Sequence, residues 1–224
     1  MIDVNECDLN EDYFHFTNVA NIGSILNTGL LPSVGTASKM VGDRPNVSLS
    51  KGAKGIMGII NSFIYMFKVM KVNEIPNEFR KYFIDDISDF TTNELVGLDL
   101  ACRAVARKLN DEVYFKVNLD ESVIEKEAVI SGLTEFDIKL PIAIDKSNLQ
   151  LVASEGEMIT AFDFAKFIYE KAKDFDIFRE MDEDFFHMFE MDQTDLSLNS
   201  ELVGNAKWFK TSILDRKSSN NGKI

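Results

Sequence analysis

"YFHFTNVANIGSILNTGLLP", residues 13–32, passes from an aromatic, strand-like run through a polar stop into a helical pattern. Tyr13 to Thr17 reads as a strand. Asn18 then supplies an N-cap, because its short side chain can take a first-turn N–H that has no partner inside the helix. Val19, Ile22, Ile25 and Leu26 recur at i, i+3, i+6 and i+7, one helical face. Gly29 closes the helix as a C-cap glycine, and Pro32 blocks its continuation. One of only two histidines in the chain, His15, thus stands in a strand just ahead of a helix start. It reads either as a strand histidine bonded to backbone or as a group presented to a ligand.

Outward from this stretch, residues 33–45 are rich in Gly, Ser and Thr without periodicity, and read as a loop. "NVSLS", 46–50, alternates as a strand, with Val47 and Leu49 on one face and Ser48 and Ser50 on the other. "KGAKG" reads as a turn, and Ile56 to Val69 as a buried helix on which Tyr65 is a core residue or a ligand-facing one. Beyond Pro76, Thr91 or Thr92 caps an amphipathic helix from Glu94 to Lys108, with Leu95, Leu98, Cys102, Val105 and Leu109 facing inward. Four strand patterns follow, at 112–119, 127–130, 136–144 and 149–153. Met158 to Lys173 then reads as a helix, followed by an acidic aromatic segment and a polar tail. Strands and helices are partly segregated, so the expected class is α+β rather than a doubly wound parallel sheet. The expected organisation is a domain over 1–153 and an acidic helical C-terminal extension over 154–224.

The net charge of −13 is concentrated: Asp174 to Asp195 hold nine carboxylates and one arginine, a net of −8. That segment is a solvated helix with Phe178, Met181, Phe185 and Phe189 on the body, or a docking surface for a basic partner. Nucleic acid is a poor partner for a chain so acidic, which carries no Lys/Arg run with interleaved aromatics. The N-terminus lacks a signal-peptide pattern, and the longest uncharged stretch, Gly55 to Phe67, is too short and too polar to span a bilayer. The expectation is a soluble, cytoplasmic protein without membrane contact, with signal-independent export left open. Cys7 and Cys102 have no metal or redox spacing, and Cys102 is expected as a buried free thiol.

Several chemistries are missing from the pattern. "SKGAKGIMG" is neither a P-loop nor a dinucleotide fingerprint, there is no GxSxG elbow, and no metal-ligand spacing occurs. Asp182, Glu183 and Asp184 lack the glycine and terminal glutamate of a calcium loop. His187, on an aromatic helix among acids, is expected to be packed or salt-bridged.

The stretch His15-Phe16-Thr17, the capped helix, and its ending through Ile25, Leu26, Gly29 and Leu30 resemble the first motif of the ADP-ribosyltransferase-like superfamily. Its His-x-Thr branches include DarT toxins and RNA 2′-phosphotransferases. "NVSLSKG" looks like that fold's second strand, with Ser50 at its hydroxyl position and Ser48 as the alternative. "TEFDIKLP" offers Glu135 or Asp137 as the catalytic acid: Asp137 by its distance to Pro141, Glu135 by residue type. The resemblance spans about residues 13–152.

It implies a split β-sheet core with flanking helices and a site for NAD, used as substrate. Cleavage of the nicotinamide–ribose bond passes through an oxocarbenium-like state that a carboxylate stabilises. His15 and Thr17 would hold the ligand, the backbone of Phe16 the nicotinamide amide, and Ser50 the geometry. Tyr65 would stack on the nicotinamide ring, with Arg44 and Lys39 at the phosphates. The implied activity is modification of a protein or small-molecule acceptor, as in bacterial toxins, effectors and defence proteins. An Asp at the acid position has a shorter reach, and residues after about Glu155 match nothing in the superfamily's core. The rival reading is a non-enzymatic acidic binding module that recruits a basic partner.

Overall fold

The structure is a computed structural model that describes residues 1–32, 47–83, 86–120, 124–130, 133–138, 148–171 and 183–191. The expected loop over 33–45 with Lys39 and Arg44, the region around Pro141, most of the acidic segment 174–195 and the polar tail lie outside those residues.

The described chain is α+β, a mixed sheet with flanking helices. Its strands are β1 (Ile2–Asp3), β2 (Tyr13–Asn18), β3 (Ser48–Lys51), β4 (Glu112–Val117), β5 (Ile124–Ile130), β6 (Leu133–Ile138), β7 (Leu149–Ser154) and β8 (Glu157–Met158). Its helices are α1 (Ile22–Thr28), α2 (Gly52–Lys68), α3 (Asn77–Arg80), α4 (Leu98–Asn110), α5 (Ala161–Lys171) and α6 (Glu183–Glu190). The sheet order is β1-β7-β4-β2-β3-β6-β5, with β8 paired to β7. Among the described strands only β1 and β7 run parallel, and every other pair is antiparallel.

The period of two along β2 divides its side chains between two cores. Phe14 joins a large cluster built from α2, α3, α4, α5 and α6, and Phe16 packs against it. Tyr13 joins a smaller cluster with Val19, Ile22, Ile25, Val47, Leu49 and Phe115, on the face crossed by α1. In the large cluster Phe14, Tyr114 and Phe164 meet pairwise, with ring centroids 5.4 to 6.4 Å apart. Cys102 is buried there and forms no disulfide, as its place on the helical pattern predicts.

Several boundaries differ from the sequence reading, each for a local reason. "KGAKG" is not a turn but the start of α2, which begins directly after β3. Its first N–H groups are taken by the N-terminal segment: Gly52 N–H donates to the Asp12 carbonyl at 2.8 Å, and Ala53 N–H to that of Leu9 at 2.6 Å. Gly52 has φ +57°, and a Cβ there would sit 2.4 Å from the Leu9 carbonyl oxygen, so the close approach requires glycine. The helix expected from Glu94 starts instead at Leu98. Residues 94–96 are held alongside 70–72: Val72 N–H donates to Glu94 carbonyl at 3.0 Å and Val96 N–H to Met70 carbonyl at 2.9 Å. Leu95 is consequently exposed rather than inward-facing, and so is Leu26 on α1.

The division expected between residues 153 and 154 falls inside the β7–β8 hairpin, where Ala153 pairs with Met158 and Ser154 with Glu157. Thr160 starts α5 by accepting the Asp163 N–H at 3.1 Å. Phe162, Phe164 and Ile168 of α5 and Phe185 and Met188 of α6 are buried in the large core, so these elements share it with the strands. His187 Nε2 lies 2.6 Å from Asp99 Oδ1 of α4, within the packed or salt-bridged role expected of it. Among the described residues no helix is long and apolar enough to cross a membrane.

Candidate functional site

β2 pairs with β4 along its whole length, from Tyr13 opposite Val117 to Asn18 opposite Glu112. Its ladder with β3 runs through Tyr13–Lys51 and Phe14–Ser50. At the next position the His15 ring reaches across and places Nδ1 3.0 Å from the Ser48 carbonyl oxygen. A carbonyl only accepts, so Nδ1 carries the proton and Nε2 of the neutral ring is an acceptor. Burial holds the imidazole below its usual range, and the bond to Ser48 opposes this in part.

After β2, Asn18 Oδ1 accepts the Ala20 N–H at 2.9 Å and caps a short 3-10 turn over Val19–Asn21. That turn carries the chain over the sheet into α1. Asn21, at the α1 N-cap, makes no cap bond with its side chain; its Nδ2 donates to Thr17 Oγ1 at 3.1 Å. Gly29 ends α1 at φ +79°, donating to the Ile25 carbonyl at 2.8 Å.

Between the strand and this helix lies a cavity of about 260 Å³. His15 and Thr17 form its floor, Asn21, Ser24, Ile25 and Thr28 its helical wall, and Leu30, Leu31 and Val47 its apolar rim. Leu31 and Val47 also lie close, in sequence, to the segment 33–46 that is outside the described residues. Among the described residues no Asp, Glu, Lys or Arg lines the cavity, and the described lining offers neutral hydrogen-bonding groups and apolar contacts. A second cavity, of about 270 Å³, is lined by Glu11, Asp12 and Tyr13. Its acids already have partners: Glu11 meets Lys51 at 2.9 Å and Asp12 meets Lys116 at 2.7 Å.

The structure separates the other sequence-derived site residues. Phe16 lies on the face opposite His15, its ring 5.1 Å from that of Tyr114, and its backbone is paired opposite Tyr114 in β4. Ser50 alternates with Leu49 and so leaves the His15 face. It is 2 % exposed, and a Cβ on Gly55 of α2 would meet its Cβ at 3.1 Å. Glu135 stands opposite Ser50 in the β3–β6 ladder, and Asp137 opposite Ser48. Two strand spacings separate that row from β2, about 10 Å of backbone. Tyr65 is neither core nor groove: it is 60 % exposed, with Lys68 Nζ 5.3 Å above its ring. It lies far along α2 from Gly52, at roughly 20 Å of helical rise. Arg44 and Lys39 fall outside the described residues.

What the sequence reading missed is the polar wall. Asn21, Ser24 and Thr28 recur at i, i+3 and i+7, a helical face beside the apolar one, and that spacing was the available signal.

Family models match no part of this chain, and comparisons with curated proteins and with solved structures give no significant match.

Proposed function

We propose that the groove between β2 and α1 binds NAD, and that the chain is an ADP-ribosyltransferase-like enzyme. The observation that carries this reading is that His15 and Thr17, the polar pair of the His-x-Thr pattern, face one cavity walled by the helix that follows them. With Nδ1–H committed to Ser48, His15 offers Nε2 to a hydroxyl of the ligand. Thr17 accepts from Asn21 and retains its own hydroxyl proton to donate.

A volume of about 260 Å³ admits one ring or sugar and not a dinucleotide. The neutral lining suits the uncharged part of the ligand. The diphosphate then lies outside the cavity, with Arg44 and Lys39 as its proposed contacts. Glu135 or Asp137 is the proposed carboxylate for the oxocarbenium-like state as nicotinamide leaves, although their register opposite Ser50 and Ser48 sets them in the row that leaves the His15 face. The acceptor is a protein, a small molecule or, for a glycohydrolase, water.

A second reading, a non-enzymatic acidic binding module whose segment 174–195 recruits a basic partner, is favoured by one observation. Ser50 is pinned beneath Gly55, away from His15, so the three motif elements do not meet in one cleft among the described residues. Incubation with NAD separates the two. The enzyme reading expects nicotinamide release that drops at least tenfold in His15→Ala, with circular dichroism unchanged. NAD binding without release sinks the catalytic part and leaves the module. Neither binding nor release sinks the NAD assignment altogether.

A further inference from the structure

Asn21 stands where an asparagine ordinarily caps a helix, yet its side chain makes no cap bond. Its neighbours do the capping. Asn18 Oδ1 accepts the Ala20 N–H at 2.9 Å, the Asp111 carbonyl accepts the Val19 N–H at 2.9 Å, and the Ile22 N–H closes onto the Val19 carbonyl. The Asn21 amide is thereby released from the helix and turns back to the strand, where Nδ2 donates to Thr17 Oγ1 at 3.1 Å. This bond ties the floor of the groove to its helical wall, and both residues line the cavity.

The direction of the bond matters more than its strength. A threonine hydroxyl has one proton to give and two lone pairs that accept. Thr17 is only 8 % exposed, and its backbone is fixed opposite Val113 in β4. With Nδ2 donating to one lone pair, the hydroxyl proton must turn away from Asn21. Among the described residues nothing takes that proton, so it is offered to the cavity. His15, two residues earlier and about 7 Å along the strand, is held in the opposite sense. Its Nδ1–H is spent on the Ser48 carbonyl, so Nε2 accepts. The floor of the groove thus presents an acceptor and then a donor, each fixed by a bond made outside the ligand. On the wall, Thr28 cannot serve as this donor, because it gives its own proton to the Ser24 carbonyl at 2.9 Å.

We propose that Asn21 is a positioning residue: by donating to Thr17 it aims the Thr17 hydroxyl proton into the groove. It thereby selects a ligand that carries a hydroxyl or carbonyl oxygen at that point. This rests on the reading of the groove as the NAD site, and gives that site a polarity.

Two measurements on the full chain test it, and the first needs no ligand. Followed by nitrogen-15 NMR, the Asn21 side-chain amide of the unaltered chain should exchange at least about tenfold more slowly than a free asparagine amide. That protection should be lost in Thr17→Val. An unprotected amide overturns the proposal, since Thr17 would then be donating to Asn21. Protection kept in Thr17→Val overturns it as well.

The second measurement titrates NAD by calorimetry at pH 7. Asn21→Asp keeps the size of the side chain but can only accept, so it draws the Thr17 proton out of the groove. NAD should bind about tenfold more weakly to this variant. Its unfolding midpoint should hold or rise, because aspartate suits the first turn of a helix as well as asparagine does. In a Thr17→Val background the same substitution should cost no more than about threefold, since no proton is left to redirect. An equal loss in both backgrounds is repulsion of NAD by the new charge, and overturns the proposal. So does unchanged binding in Asn21→Asp, or a midpoint that falls in step with binding, which marks a structural role. If the unaltered chain binds no NAD, the NAD reading falls, and the amide measurement alone decides the role of Asn21.

Discussion

On one face of the sheet, α2 to α6 bury Phe, Ile and Met side chains in a continuous core; on the other, α1 crosses with only Ile22 and Ile25 buried beneath it. The two faces share the same strands. In β2, Phe14 and Phe16 go to the thick side, while His15 and Thr17 go to the thin side, where the helix does not fill the space and a cavity opens. The contrast shows how a small protein builds a rigid platform and an accessible site from one strand. Alternation sends neighbouring residues to opposite jobs, and the depth of cover above each face decides whether it becomes core or groove.

That contrast can be broken by substitution. If stability resides on the thick side, Phe164→Ala, which removes a ring packed on both Phe14 and Tyr114, should cost about 3–5 kcal/mol in urea unfolding. A loss below about 1 kcal/mol would mean that this core is not the platform. Gly52→Ala tests the joint between the N-terminal segment and α2. The left-handed backbone and the Leu9 carbonyl in the path of a Cβ should cost about 2–3 kcal/mol, read as a lowered midpoint at unchanged m-value.

On the thin side the effects should be smaller and local. Thr17→Val removes the acceptor of Asn21 Nδ2 and should cost about 1 kcal/mol. The same variant should weaken any ligand of the groove by a larger factor than it weakens the fold, a split that titration calorimetry beside unfolding would expose. Tyr65→Ala, on an exposed position remote from both cores, should change stability by no more than about 0.5 kcal/mol and leave groove binding untouched. A clear loss of binding in that variant would place Tyr65 at the site after all.

The strand and helix around His15 were legible because their signals are local. Two-residue alternation, an Asn cap and a terminal glycine act within a few residues of one another, and β2, the 3-10 turn and α1 follow them. The start of α4 was not legible, because the strand-like pairing of 94–96 with 70–72 is a contact between segments more than twenty residues apart. The role of "KGAKG" was hidden for the same reason. Nothing near Gly52 in sequence announces that Leu9 and Asp12 will take its first helical amides. At the site, His15 and Thr17 were readable from strand spacing. Ser50 was not, since its own strand pattern marks a face but leaves open which helix will cover it.

By itself, then, the sequence determined the α+β class, the β2–α1 unit and the shared face of His15 and Thr17, because periodicity and capping depend only on neighbours along the chain. Tertiary structure decided that Ser50 goes under α2, that Tyr65 lies in solvent, and that α5 and α6 fill the main core. It also decided that Lys108 and Glu112 meet in the dry interior on the sheet face opposite α1. Burial is a property of what packs above a residue. The chain supplies those atoms from α2, α3 and β2, far from Glu112 in sequence and adjacent only once folded.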